Sequence, residues 1–203
     1  DGPQGSRLGI FPGYVTQNES LDIPGALPLR SSLKARRRAF TGSYLSIDVL
    51  EFEGVPPIVR EIVAVRSGVC VLGVDRDGMV SLVRQFRQAI DRVILELPAG
   101  VRDSGEVAIE AARRELSEEA GLVAGRWFHL LHYAHAEGYS DGWMDLFLAL
   151  DCEQAANHPD PGEELELRKV PVAEFYSMVD RGSFVDAKTI LAASRAKQIL
   201  SER

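Results

Sequence analysis

From residue 43 onward, apolar and polar positions fall into short, regular runs. In "SYLSIDVLEF", Leu45, Ile47 and Val49 recur at every second position, the period of a half-buried strand. "IVREIVAV" and "GVCVLGV" follow as further strands, and Asp75-Arg76-Asp77-Gly78 is a turn signal leading into "MVSLVRQFR". "RVILELPAG" reads as a strand running into a tight Pro-Ala-Gly bend. The period then changes. Across 105–120, Ile109, Ala112, Leu116 and Ala120 recur at spacings of three and four, a narrow apolar stripe on a helix. Asp103 or Ser104 is placed to cap its start, and Gly121 stands where a C-terminal cap belongs. Glu110 and Arg114 form an i,i+4 pair in the favourable order.

Strand-like runs return at "WFHLLHY", "WMDLFLAL" and "LELRKV", the last two separated by the acidic, Pro-containing loop "DCEQAANHPDPGEE". Two helical stretches follow, over about 172–180 and 185–200. Strands, an embedded helix, more strands and late helices predict an α/β protein with a mixed sheet and helices packed on its faces. Residues 1–41 stand apart: rich in Gly, Pro and Ser and without a sustained period, they read as an N-terminal extension or arm ahead of a domain spanning 42–203. At its end, Lys34, Arg36, Arg37 and Arg38 make a basic run, by default a solvated face.

Composition narrows the function classes. With 203 residues, 45% hydrophobic and 26% charged, the chain is long enough to bury a core and ordinary for a globular protein. No stretch reaches the apolar length of a membrane span and no secretory signal is apparent, so no membrane partner is expected. The balance of 23 basic against 30 acidic residues, −7, argues against a nucleic-acid binder, which needs a basic face. It allows an anionic small substrate when a divalent cation stands between the protein's acids and the substrate's phosphates. Cys70 and Cys152 suggest neither a disulfide framework nor a zinc site, and a reducing cytoplasm fits.

The helix carries the chemistry. In "RRELSEEAGL", Glu115 and Glu119 lie about 40° apart around the helix axis, with Glu118 about 60° to the other side of Glu115. Three carboxylates share one sector with no single basic partner opposite them. Left empty, such a cluster repels itself by a few tenths of a kcal/mol per pair; a hard, oxygen-seeking cation reverses the sign. The bland alternative is a solvated Glu/Arg helix.

The upstream residues decide between them. Gly100, Glu106, Arg114, Glu115, Leu116, Glu118, Glu119, Gly121 and Leu122 fit, without gap or mismatch, the pattern of Gly, five residues, Glu, seven residues, then Arg-Glu-apolar-any-Glu-Glu-any-Gly-apolar. This resembles the Nudix box. "LVRQFR", "LELPAG", "YAHAEGYSDGWMDLFLA" and "FVDAKTILA" resemble the corresponding stretches of the ADP-ribose pyrophosphatase branch of Nudix hydrolases, so that the similarity covers about 43–195.

The resemblance implies an α/β/α sandwich and hydrolysis of a nucleoside diphosphate linked to a sugar, with Mg²⁺ or Mn²⁺. Glu115 and Glu119 would be the principal metal ligands, joined by the Ala99 carbonyl, with Glu118 a further ligand or the holder of a metal-bound water. Arg114 and Glu106 would orient the cluster, and Gly100 would permit the bend that brings the Ala99 carbonyl toward the metal. The catalytic base would come from the loop "HPDPGEELEL", with Glu163 and Glu164 ranked together ahead of Asp160. Arg84 and Arg87 are candidate substrate contacts, Arg87 favoured, and Glu96, between Leu95 and Leu97, alternates out of the core toward a nucleoside pocket. The family also implies a homodimer to which strands in 42–66 contribute.

Two positions depart from the branch. Glu137 stands where a proline is expected in a Ser-Pro-Gly-like turn, and Gly142 replaces a common Glu. Both bear on which nucleotide sugar is taken, including ADP-ribose; neither touches the hydrolytic box. Phe86, Tyr139 and Trp143 read as core before they read as base-stacking residues, and His132 and His135, lacking a third His or Cys nearby, as non-metal. The helix around "DAKTILAASRAKQIL" reads as packing. A non-hydrolytic nucleotide-sensing module is the rival from another class, and it would tolerate a damaged box, whereas this box is intact.

Overall fold

The computed structural model describes residues 8–10, 32–155 and 165–201. They fall into two compact units, one of residues 32–66 and 134–143, the other of 8–10, 67–133 and 144–201.

The smaller unit is built on a three-stranded antiparallel sheet, β2 (Leu33–Thr41), β3 (Ser46–Phe52) and β4 (Ile58–Ala64), in that order. β2 covers the basic run and the end of the stretch read as an arm. All nine of its residues are exposed, so no buried face imposes an alternation on its sequence. Arg36 and Arg38 instead bond to the buried Asp48 of β3.

The larger unit holds an eight-stranded mixed sheet. After β1 (Leu8–Ile10) come β5 (Gly68–Asp75), β6 (Met79–Arg87), β7 (Arg92–Glu96), β8 (Ala99–Val101), β9 (Leu122–Ala134), β10 (Trp143–Gln154) and β11 (Glu166–Pro171). The order is β1-β9-β10-β5-β6-β11, with β7 paired to β6 and β8 to β5. β10 runs parallel to β5, while β6, β7, β8 and β11 pair antiparallel. Three helices accompany the sheet: α1 (Ala108–Ala120), α2 (Val172–Asp180) and α3 (Ala187–Ser201).

The two faces of the sheet can be read from β5 and β10. Cys70, Leu72, Val74, Leu146, Leu148 and Leu150 pack in one cluster with Phe175 of α2 and Ala192, Ala193 and Ala196 of α3. The intervening Val69, Val71, Phe147 and Ala149 pack in another with Ala111, Ala112, Leu116 and Ala120 of α1. Successive side chains of a strand point to opposite faces, so this division is the expected helix–sheet–helix sandwich. Covered on both sides, β5 has no polar face, which explains its nearly unbroken apolar run.

The β5–β6 turn forms as its sequence predicts: Gly78 takes the left-handed conformation at φ 74°, and Asp75 Oδ1 accepts the N–H groups of Asp77 and Met79. Gly121 likewise ends α1 at φ 63° and ψ 34°. The start of α1 differs from expectation. It opens at Ala108 after Val107, whose apolar side chain cannot cap, while Glu106 accepts the Asp103 N–H and turns toward Arg114. Glu110 pairs with Arg113 at 2.7 Å instead of Arg114. Phe86, Tyr139 and Trp143 are exposed, contrary to the core reading of aromatic residues in strands.

Candidate active site

α1 buries more than its apolar stripe. Glu115 and Glu119 are only 8% and 6% exposed, on a helix face that packs against the sheet. Carboxylates so placed require donors, since an uncompensated buried charge is costly. Glu119 Oε2 accepts the N–H of Ala99 at 2.8 Å, fastening the helix to the first residue of β8. Glu115 Oε1 accepts from Arg114 Nη1 at 2.7 Å, and Glu118 Oε2 accepts from the same nitrogen at 2.9 Å.

A single cation therefore does serve two of the three clustered helix carboxylates, which helical-wheel geometry alone does not foresee. The guanidinium is fully engaged on its other edges. Its Nε and Nη2 donate to the two oxygens of Glu106 at 3.0 and 3.1 Å, and Nη2 also donates to the Val101 carbonyl at 3.0 Å. The hydrogen bond from Arg114 is the main reason the Glu106 carboxyl is held below its ordinary range, and Glu106 in turn pushes the Arg114 pKa up.

Gly100 is also required by packing. A β-carbon at this position would come within 3.0 Å of all three atoms of the Glu115 carboxyl group. The close approach of helix to strand favours glycine here.

The loop leading into α1 is tied to the sheet as well. Arg102 donates to the Glu106 carbonyl at 2.7 and 3.2 Å and lies 3.6 Å from Asp145 of β10. Asp145 is buried, and its Oδ1 is 2.8 Å from His129 Nε2 and 3.0 Å from His132 Nδ1, both of β9. His132 is thus a carboxylate partner. Asp145 is a residue that pattern reading misses, since an acid in "WMDLFLAL" looks like the polar position of an alternating strand.

The other predicted residues separate. Arg84 pairs with Glu166 across β6 and β11 at 2.8 Å, whereas Arg87, three residues on along the strand, donates to Glu96 at 2.7 Å. Glu96 alternates away from Leu95 and Leu97 of the apolar core, and it is fully buried between Arg87 and Lys188. Its second oxygen is bonded by Lys188 of α3, which also bonds Asp186 at 2.9 Å. Asp186 and Lys188 were readable only as helix packing, though a lysine in the first turn opposes the helix dipole and needs another reason to be there. Asp160, Glu163 and Glu164 lie outside the described residues.

Among the described residues, no group of three or more His, Cys, Asp or Glu side chains is arranged as a coordination set, and Arg114 bonds both Glu115 and Glu118. The donor chemistry still fits a hard divalent cation. Glu115, Glu118 and Glu119 offer only oxygen, beside the Ala99 peptide.

Comparison with known proteins agrees with this geometry. The NUDIX domain model matches residues 64–192. The chain is 31% identical over 162 residues to the ADP-ribose pyrophosphatase of Bacillus subtilis (strain 168), covering 78% of this chain and 88% of that one. It is 32% identical over 155 residues to the ADP-ribose pyrophosphatase of Mycobacterium tuberculosis (strain ATCC 25618 / H37Rv), covering 74% and 75%. A crystal structure of an ADP compounds hydrolase shares the fold with a TM-score of 0.74 at 21% identity, over 85% of this chain and 95% of that chain. With the matched segment running from the end of β4 into α3 and carrying every position of the box, the chain belongs to the Nudix hydrolase family.

Proposed function

We propose that the protein hydrolyses the pyrophosphate linkage of ADP-ribose or a related nucleoside diphosphate sugar, releasing a nucleoside monophosphate and a sugar phosphate. The observation that carries this reading is the fastening of Glu119 to the Ala99 peptide beside Glu115 and Glu118. The names of the two relatives point to the substrate class.

Glu115, Glu118, Glu119 and the Ala99 carbonyl would hold Mg²⁺, with Mn²⁺ as a substitute. When bound, the cation supplies charge neutralisation on the two phosphates and lowers the pKa of the attacking water. In the reaction the water oxygen bonds to one phosphorus, the bond from that phosphorus to the bridging oxygen breaks, and a base takes the water proton. Glu163 and Glu164, then Asp160, are the candidates for that base. Arg114, held by Glu106 and the Val101 carbonyl, keeps Glu115 and Glu118 oriented; it does not itself act on the substrate. Arg87 and Arg84 remain candidates for contacts to the anionic substrate.

ADP-ribose is the leading substrate candidate, and one observation keeps another nucleotide sugar as its nearest rival. A β-carbon at Gly142 would come within 3.0 Å of His135 Nε2, so an imidazole fills the space beside the position where the resembled branch carries a glutamate. The exposed Leu33, Phe40, Ile58 and Val59 of the three-stranded sheet support a homodimer. The two free, buried cysteines suit a cytoplasmic setting. Incubation of the purified protein with ADP-ribose and Mg²⁺ in ¹⁸O-labelled water, with products read by mass spectrometry, tests the reaction. AMP and ribose 5-phosphate support it, and the labelled fragment identifies the phosphorus attacked. Intact ADP-ribose alongside cleavage of another nucleoside diphosphate sugar moves the substrate to that compound.

A further inference from the structure

The strand that carries Ala99 changes partners just before it reaches the site. β7 pairs with β6 as far as Glu96, and β8 pairs with β5 from Ala99 onward. Leu97 and Pro98 lie between the two ladders. Pro98 has no N–H to satisfy, and its carbonyl accepts the N–H of Val71 at 2.9 Å. Leu97 is fully buried, and its N–H needs an acceptor that neither ladder supplies. The hydroxyl of Thr189, also fully buried, provides it at 3.0 Å.

Thr189 is placed there by the head of α3. Asp186 Oδ2 accepts the Thr189 N–H at 3.0 Å, the bond of an N-cap residue to the third residue of its helix. Lys188 lies between them with its side chain 13% exposed, and joins Asp186 to the buried Glu96. Arg87 completes a cluster of two cations and two carboxylates, with no net charge. Its members hold Glu96, the residue just before the exchange of ladders. Every residue from Glu96 to Ala99 is then fixed by a contact from a different part of the sandwich: Arg87 and Lys188, Thr189, Val71, and Glu119.

We propose, on the basis of the hydrolytic reading above, that Thr189 and Lys188 are positioning residues for the reaction. They set where the strand passes from β6 to β5, and through it the placement of the Ala99 peptide against Glu119 where the divalent cation is held. The helix that reads as packing in the sequence is in this view part of the site's support, acting through Leu97 and Glu96 without touching substrate.

The test uses the full chain freed of metal, with Mn²⁺ affinity measured from the electron paramagnetic resonance signal of the free ion, alongside kcat and KM. Thr189→Val removes the hydroxyl at nearly constant shape, and Thr189→Ser keeps it. Lys188→Met removes the charge and keeps the length. Thr189→Val and Lys188→Met are expected to weaken Mn²⁺ binding and lower kcat by about 10-fold or more, the effect of losing an outer support of a metal site. KM should change little, and Thr189→Ser should restore both quantities. Mn²⁺ affinity within about two-fold of the parent in Thr189→Val overturns the proposal. Should that variant fail to fold, the same result in Lys188→Met overturns it. Glu119→Gln separates the two levels. If Glu119→Gln loses Mn²⁺ while Thr189→Val and Lys188→Met keep it, only the positioning role fails; if Glu119→Gln keeps it, the metal reading fails beneath both.

Discussion

Gly100 and Glu115 are packed so closely that the strand residue has no room for a side chain: a β-carbon at 100 would fall within 3.0 Å of the Glu115 carboxyl carbon and both its oxygens. The glutamate cannot swing aside freely, since it is 8% exposed and bonded to Arg114 at 2.7 Å. Gly100→Ala is therefore expected to displace Glu115 and to cut kcat by about 100-fold, the scale of a misplacement of about 1 Å at a reacting centre. Turnover at saturating Mg²⁺, read beside a thermal melt, checks this. Parent-like turnover in a folded variant would show that Glu115 is free to relocate.

Arg114 is held as a fork. Two of its nitrogens meet the two oxygens of Glu106, and a third meets Glu115 and Glu118. A lysine offers one point of charge and cannot reproduce that planar set of bonds. Arg114→Lys should lower turnover by about 10- to 100-fold although the charge is unchanged, as for other outer supports of metal sites. Equal activity in the two proteins would mean that charge alone, not the fork, organises the carboxylates.

Glu118 and Glu119 are expected to fail alike although their surroundings differ. Glu118 is the more exposed of the two and is bonded by Arg114, whereas Glu119 holds the Ala99 N–H. Glu118→Gln and Glu119→Gln should each reduce turnover by orders of magnitude with the fold intact, because an amide is a poor ligand for a hard cation. An amide oxygen can still accept the Ala99 bond, so neither melt should shift much. Near-normal activity in both variants would sink the metal-cluster mechanism.

How much of this is legible in the sequence follows from the range over which each feature is determined. The central strands of the large sheet show because both faces are covered and they read as short apolar runs bounded by turn signals, within which Cys70, Leu72 and Val74 separate from Val69 and Val71 as the pleat requires. The box shows because its residues are local to one loop and helix. β2 does not show, since a strand exposed throughout has no apolar period. Nor does the burial of Glu96, which is bonded by Lys188, 92 residues away. Arg114 illustrates the middle case: its partners are near in sequence, yet which of Glu106, Glu110, Glu115 and Glu118 it takes depends on where Val101 and the loop before α1 lie.

Asp145 offers a measurement in acid. Burial on its own would raise its pKa, but the hydrogen bond to His129, with His132 beside it, outweighs burial and leaves the carboxyl below the ordinary aspartate value of 3.8. The sign follows from linkage. A carboxyl whose pKa is lower in the folded than in the unfolded chain binds fewer protons when folded, so it stabilises the fold above the unfolded value. That contribution is lost as pH falls through the lower folded value. Asp145→Asn lacks it at every pH. The parent should therefore melt above Asp145→Asn at about pH 7, and the difference should hold down to about pH 4 and shrink below it, where an unperturbed aspartate begins to protonate. Thermal melts of both proteins across this range decide the matter: a difference that stays constant or grows in acid would mean that the histidines do not favour the ionised form of Asp145.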